Sequence, residues 1–119
     1  MKVLGQKIQD SGLRYRRAIA YLSTEALLSN LSVIQSMACG AQIIAMVKAN
    51  AYGHGIRSVS QRLCQHVFAL GVASIDEAIA LRAYGIHTKI ILMEGVICPE
   101  DLRLVSALAL DLVVHEASH

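Results

Sequence analysis

The chain has 119 residues, of which 55% are hydrophobic and 17% are charged, and its formal net charge is +2. This composition excludes a disordered chain, and the length allows one domain but only about half of the roughly 250 residues that an eight-unit α/β barrel needs. Basic residues are scattered among acidic ones and are not concentrated in one stretch, and no apolar stretch reaches the ~18 residues of a membrane span. We therefore expect a globular protein with no nucleic-acid and no membrane partner.

Three cysteines, Cys39, Cys64 and Cys98, are far apart and have neither C-x-x-C nor Cys/His ligand spacing. We predict buried, reduced thiols of a cytoplasmic protein without a metal site. The amino terminus lacks the continuous apolar segment of an export signal, which agrees with that location.

Residues 1–16 are polar and aperiodic, and we predict a poorly ordered or irregular leader there. Residues 17–119 repeat one pattern, in which an apolar run of strand length precedes a turn or capping residue and a helical periodicity. The predicted strands are RAIAYL from Arg17, AQIIAMVK ending at Lys48, FALGVA from Phe68, KIILM from Lys89 and DLVVH from Asp111.

Capping signals mark the predicted helices between these strands. Ser23 or Thr24 begins the first helix, which we expect to end near Cys39 and Gly40. Ser74 and Glu77 have the spacing of a capping box, and Pro99 occupies the first position of the helix PEDLRLVSAL.

This alternation predicts an α/β fold with about four and a half βα units and a parallel sheet. Periodicity alone does not distinguish an open, doubly wound sheet from a barrel. The chain contains neither G-x-G-x-x-G nor G-x-x-x-x-G-K-[ST], which disfavours an open sheet that binds nucleotides.

The segment AMVKANAYGHG, residues 45–55, carries the clearest chemical signal. Lys48 ends an apolar strand, and reactive side chains in α/β folds lie at the carboxyl ends of strands. A lysine amine there can form a Schiff base with an aldehyde, although the same placement also suits a lysine that only keeps the strand end solvated. The Tyr52 hydroxyl could donate to a ligand bound near Lys48, and we expect His54, between two glycines, to fix the loop.

MVKANAYGHG resembles the pyridoxal-phosphate lysine signature of the alanine racemases. The resemblance extends over about residues 17–115, through LSTEALLSNLSVI, FALGVASIDEAIALRAYGI and KIILMEG. It implies a partial TIM-type (β/α)8 barrel, the amino-terminal half of a barrel that binds pyridoxal 5'-phosphate (PLP), over residues 17–119. It further implies a homodimeric isomerase that converts L-alanine to D-alanine for peptidoglycan.

By this resemblance, Lys48 matches the catalytic lysine that holds PLP as a Schiff base. Tyr52 matches the tyrosine that hydrogen-bonds the cofactor phosphate, and Met93 falls where the family places an apolar residue beside the cofactor. Met46 and Val47 would line the same mouth, or simply pack within their strand. The family's second catalytic tyrosine belongs to later segments, so we expect this chain to be an amino-terminal fragment that is inactive alone.

Three other functions compete with this one. A non-enzymatic PLP-binding barrel module and a PLP-dependent amino-acid decarboxylase share the lysine, but neither is expected to share residues 52–55, YGHG. The third alternative is a half-barrel that folds or interacts without a cofactor.

Overall fold

The computed structural model describes the backbone of residues 5–7 and the chain from 19 to 117. The elements are β1 (Gly5–Lys7), β2 (Tyr21–Ser23), α1 (Thr24–Met37), β3 (Ile44–Met46), α2 (Lys48–Tyr52), α3 (Ile56–Leu63), β4 (Ala69–Val72), α4 (Ile75–Ala83), β5 (Lys89–Leu92), a 3-10 turn (Pro99–Asp101), α5 (Leu102–Ala107) and β6 (Leu110–Leu112). They fall into two compact units, residues 1–42 and 43–119. No helix within the described residues has the length and apolarity that a membrane crossing requires.

The first unit contains β1, β2 and α1. Strands β1 and β2 pair antiparallel, with Gly5 opposite Ser23. Ser23 is the N-cap of α1, and its Oγ accepts a hydrogen bond from the Ala26 amide at 3.1 Å. The cap confirms the predicted helix start, whereas the pairing of β2 with β1 differs from the expected parallel arrangement. The sequence GQK of β1 carries no apolar alternation that would have indicated a strand. The rest of the predicted leader lies outside the described residues.

The second unit is built on a parallel sheet whose strands follow the chain in the order β3, β4, β5, β6. Each new strand is added on the same side of the previous one, so the strand order never reverses. An open, doubly wound sheet requires such a reversal, and its crevice is where ligands bind in that fold. The order of the described strands shows no such reversal and agrees with a segment of a barrel.

The two faces of this parallel sheet differ in burial. On one face the two central strands are fully buried, with Leu70, Val72, Ile90 and Leu92 at most 1% exposed. Helix α4 contacts both β4 and β5, and α5 contacts β6. On the other face the central strand β4 is also buried, with Ala69 at 0%, whereas the flanking strand β3 is partly open, with Ile44 at 39%. The core therefore lies between the sheet and its helices, where burial of a Leu or Ile side chain stabilises by about 1.5–3 kcal/mol.

Arg82, near the carboxyl end of α4, ties together the segments that lead into β5 and β6. Its guanidinium donates hydrogen bonds to the carbonyls of Ile86 and Thr88, both at 2.8 Å, and to those of Leu108 at 2.9 Å and Ala109 at 3.2 Å. Burial lowers the pKa of Arg82 from its ordinary value. Its planar fork of donors suits several fixed acceptors at once.

The cysteine prediction was wrong in one respect. All three thiols are free, but Cys39 and Cys98 are exposed and Cys64 is half-buried. Cys39 follows the carboxyl end of α1 and Cys98 precedes the 3-10 turn, so both lie in connecting segments, which are generally at the surface.

Candidate active site at the carboxyl end of the sheet

Lys48 lies at the carboxyl end of β3. The strand ladder reaches Val47, whose amide donates to the Gly71 carbonyl at 2.9 Å, and extended geometry then ends, because Val47 has φ −121° and ψ 15°. The Lys48 side chain is half-buried and makes no hydrogen bond or ion pair with any residue between 19 and 117. Its amine is therefore available for chemistry at the end of the sheet where α/β folds bind ligands.

The residues after Lys48, which make up most of α2, form a left-handed turn and not a right-handed α-helix. Four successive φ angles are positive, at 51° for Ala49, 55° for Asn50, 53° for Ala51 and 55° for Tyr52. In this conformation Cβ approaches the following carbonyl, at a cost of roughly 1–2 kcal/mol per residue. Backbone strain of this kind persists only where surrounding contacts enforce it, and it concentrates at functional sites.

Hydrogen bonds within residues 50–56 stabilise this turn. The Asn50 side-chain oxygen accepts from the Ile56 amide at 2.8 Å and so caps α3, while the Asn50 carbonyl accepts from the Gly55 amide at 2.9 Å. His54 donates to the Ala51 carbonyl, with 3.0 Å between Nδ1 and the oxygen. The expectation that His54 fixes the loop is confirmed by this bond. Gly55 has φ 93°, which favours glycine at this position.

A carboxylate from α4 reaches the turn from outside. Glu77 Oε1 accepts a hydrogen bond from the Ala49 amide at 2.8 Å, and Oε2 accepts from the amides of Ala73 at 2.8 Å and Ser74 at 3.2 Å. Ser74 Oγ accepts in return from the Glu77 amide at 3.3 Å, which confirms the predicted capping box. The bond to Ala49 was not predicted, because no local pattern links residues 28 positions apart.

The other two predicted site residues lie at the same end of the sheet. Tyr52 ends the left-handed turn and is 60% exposed. Met93 directly follows β5, is half-buried, and its amide donates to the Val72 carbonyl at 2.9 Å. The Met93 carbonyl lies 3.1 Å from His115 Nε2, so His115 is a neighbour that the sequence did not indicate.

Met46 and Val47 differ in their surroundings. Val47 is completely buried, which supports packing rather than lining of a site. Met46 lies opposite Gly71 in the register of β3 and β4, and a Cβ on Gly71 would overlap Met46 Sδ. The missing side chain of Gly71 therefore leaves the space that Met46 occupies on this face of the sheet.

Comparison with known sequences identifies the family. Residues 22–119 match the family model described as alanine racemase, N-terminal domain. The chain is 43% identical over 103 residues to the alanine racemase of Haemophilus influenzae, covering 87% of this chain and 29% of the relative. It is 44% identical over 96 residues to that of Legionella pneumophila, covering 81% of this chain and 27% of the relative.

Comparison with solved structures identifies the same family. The alanine racemase of Acinetobacter baumannii superposes with a TM-score of 0.75 at 32% identity, over 80% of this chain and 28% of that one. The biosynthetic alanine racemase of Pseudomonas aeruginosa superposes with a TM-score of 0.73 at 36% identity, over 80% of this chain and 26% of that one. The amino-terminal domain of these proteins is a TIM-type barrel, which confirms the predicted fold class. The chain spans less than a third of the length of these relatives, and it belongs to the alanine racemase family as part of its amino-terminal barrel domain.

Proposed function

We propose that this chain provides the lysine half of a PLP-dependent alanine racemase site, in which L-alanine and D-alanine are interconverted. One observation carries the proposal: Lys48 has an unpaired amine, among the described residues, at the carboxyl end of β3 and is followed at once by a strained turn. The names of the relatives support the reaction.

The residues present fit the cofactor chemically. A lysine amine condenses with an aldehyde to give a carbon–nitrogen double bond and one water molecule, and the half-buried Lys48 has no competing partner in the described part of the chain. PLP supplies an electron sink that makes the α-proton of a bound amino acid acidic.

Each site residue then has a defined task. Lys48 holds the cofactor and, once free, moves the α-proton on one face through its Nζ. The Tyr52 hydroxyl donates a hydrogen bond to a phosphate oxygen, for which its exposed side chain leaves room. Met93 supplies an apolar contact at the end of β5, where it excludes water from one side of the site.

The remaining parts of the proposal concern the complete protein. We infer a homodimer, in which a tyrosine of the partner subunit serves the opposite face of the substrate. A cytoplasmic location agrees with three free thiols. D-alanine would supply peptidoglycan synthesis.

An absorbance titration with PLP tests the assignment. The wild-type chain is expected to develop the visible band of lysine-bound PLP, Lys48→Arg to lose it and Lys89→Arg to keep it. Lys89 is the matched control, because it lies on the same sheet at the opposite end. An unchanged band in Lys48→Arg would refute the role of Lys48.

A further inference from the structure

We infer that Glu77 is a positioning residue for Lys48: its carboxylate fixes the turn that places the lysine amine. This inference rests on the proposed function of Lys48 and adds a residue from a different βα unit. Glu77 touches the backbone of the turn and is not itself a reacting group.

The carboxylate joins the ends of two neighbouring strands. Oε1 accepts from Ala49, the residue directly after Lys48, and Oε2 accepts from Ala73, the residue directly after β4. Both bonds are 2.8 Å long and involve a charged acceptor, which makes them stronger than neutral hydrogen bonds. A shift of the turn relative to β4 would therefore break at least one of them.

The hydrogen bonds within the turn do not hold its first residue. Its internal bonds use the amides of Ala51 and Gly53, which donate to the carbonyls of Val47 and Ala49. The Ala49 amide takes no part in them, and Glu77 is its acceptor within the described chain. Without that bond the residue that follows Lys48 would lose its link to α4, and the amine would sample more positions.

Two variants separate this role from helix capping. Ser74→Ala removes the hydroxyl that accepts from the Glu77 amide but leaves the carboxylate in place. Glu77→Gln keeps the side-chain length but has one acceptor oxygen, so its NH2 group would face an amide donor on one of the two sides. The Gln variant therefore cannot satisfy Ala49 and Ala73 together, whereas the Ser74 variant can.

The experiment follows PLP attachment to Lys48 in the 119-residue chain. PLP is added, samples are reduced with borohydride at timed intervals, and mass spectrometry gives the labelled fraction of Lys48 and, as an internal reference, of Lys89. We expect the rate of Lys48 labelling to fall about tenfold in Glu77→Gln, as for the loss of one charge-assisted hydrogen bond, and to stay within about twofold in Ser74→Ala.

Hydrogen exchange without PLP provides a second readout. The amides of the turn, residues 49–53, should exchange faster in Glu77→Gln than in the wild type, and those of β5 should not change. If Glu77→Gln fails to fold, Glu77→Asp keeps the charge but is shorter by one methylene group, and the same two effects are expected from its reduced reach.

The outcomes distinguish the inference from the function on which it rests. No preference for Lys48 over Lys89 in the wild type would refute the proposed function, and the exchange data would still decide the role of Glu77. Preferential labelling that is unchanged in Glu77→Gln would overturn the positioning role alone. An equal loss in Ser74→Ala would also overturn it, because helix capping would then explain the effect.

Discussion

Two lysines at opposite ends of one sheet have different surroundings. Lys89 begins β5, its Nζ lies 2.9 Å from Asp111 Oδ2 and 5.3 Å from the centre of the Phe68 ring. Lys48 follows β3 and makes no such contact within residues 19–117. The lysine at the amino end of the sheet is thus paired, whereas the amine of the lysine at the carboxyl end is available to react.

Two side chains of α4 bind the segments at the two ends of the parallel sheet. Arg82 holds the segments entering β5 and β6 through four backbone carbonyls, whereas Glu77 holds the segments leaving β3 and β4 through backbone amides. Among the described residues, the amino end of the sheet contains no run of positive φ like that of residues 49–52. The difference indicates that Arg82 stabilises the fold, while Glu77 holds the strained turn next to the proposed reactive lysine.

The largest effect is expected at the amino end. Arg82→Ala leaves four carbonyls without their charged donor and should lower the free energy of unfolding by about 3 kcal/mol, measured by urea denaturation. Arg82→Lys should recover less than half of that loss, because a single ammonium cannot reach all four acceptors. Full recovery in Arg82→Lys would show that the four hydrogen bonds do not require the planar guanidinium group.

Gly71→Ala tests the close contact between Gly71 of β4 and Met46 of β3. The added methyl group meets Met46 Sδ and lies 3.1 Å from Met46 Cε, so Met46 must move. We expect a loss of about 1–2 kcal/mol in urea denaturation. The double variant with Met46→Ala should show a smaller additional loss than the two single changes would give together. Strict additivity would indicate that the two residues do not interact.

Ala49→Gly tests the strain at the carboxyl end. Glycine adopts positive φ without the Cβ penalty, so the variant should gain about 1 kcal/mol in stability. Ala80→Gly, in the interior of α4, is the control and should instead lose about 1 kcal/mol. A loss in both variants would show that the turn stores no strain.

The smallest effect is expected from Asp111→Asn. The ion pair with Lys89 is exposed, with 41% and 51% of the two side chains accessible, so its loss should change stability by less than about 0.5 kcal/mol, measured by urea denaturation.

Labelling of the same variant by PLP tests whether the ion pair is what keeps Lys89 from reacting. Lys89 should remain poorly labelled in this variant, because its position at the amino end is unchanged. Strong labelling would show that pairing alone protects it.

Much of the architecture could be predicted from local sequence. Apolar runs located the strands of the parallel sheet, and Ser74 with Glu77 located the start of α4, because both signals act over a few residues. The left-handed turn could not be predicted, since alanine has no preference for positive φ and the contact from Glu77 is 28 residues away. The partners of Arg82 at Leu108 and Ala109 could not be predicted for the same reason, since they are 26 and 27 residues away.

The most direct test of the central claim is to locate the attachment of PLP. The chain is saturated with PLP, reduced with borohydride, digested and mapped by mass spectrometry. We predict that the label lies predominantly on Lys48, in the peptide that contains the turn. A label mainly on Lys2, Lys7 or Lys89, or no label above that of a denatured control, would contradict the assignment of the carboxyl end of β3 as the cofactor site.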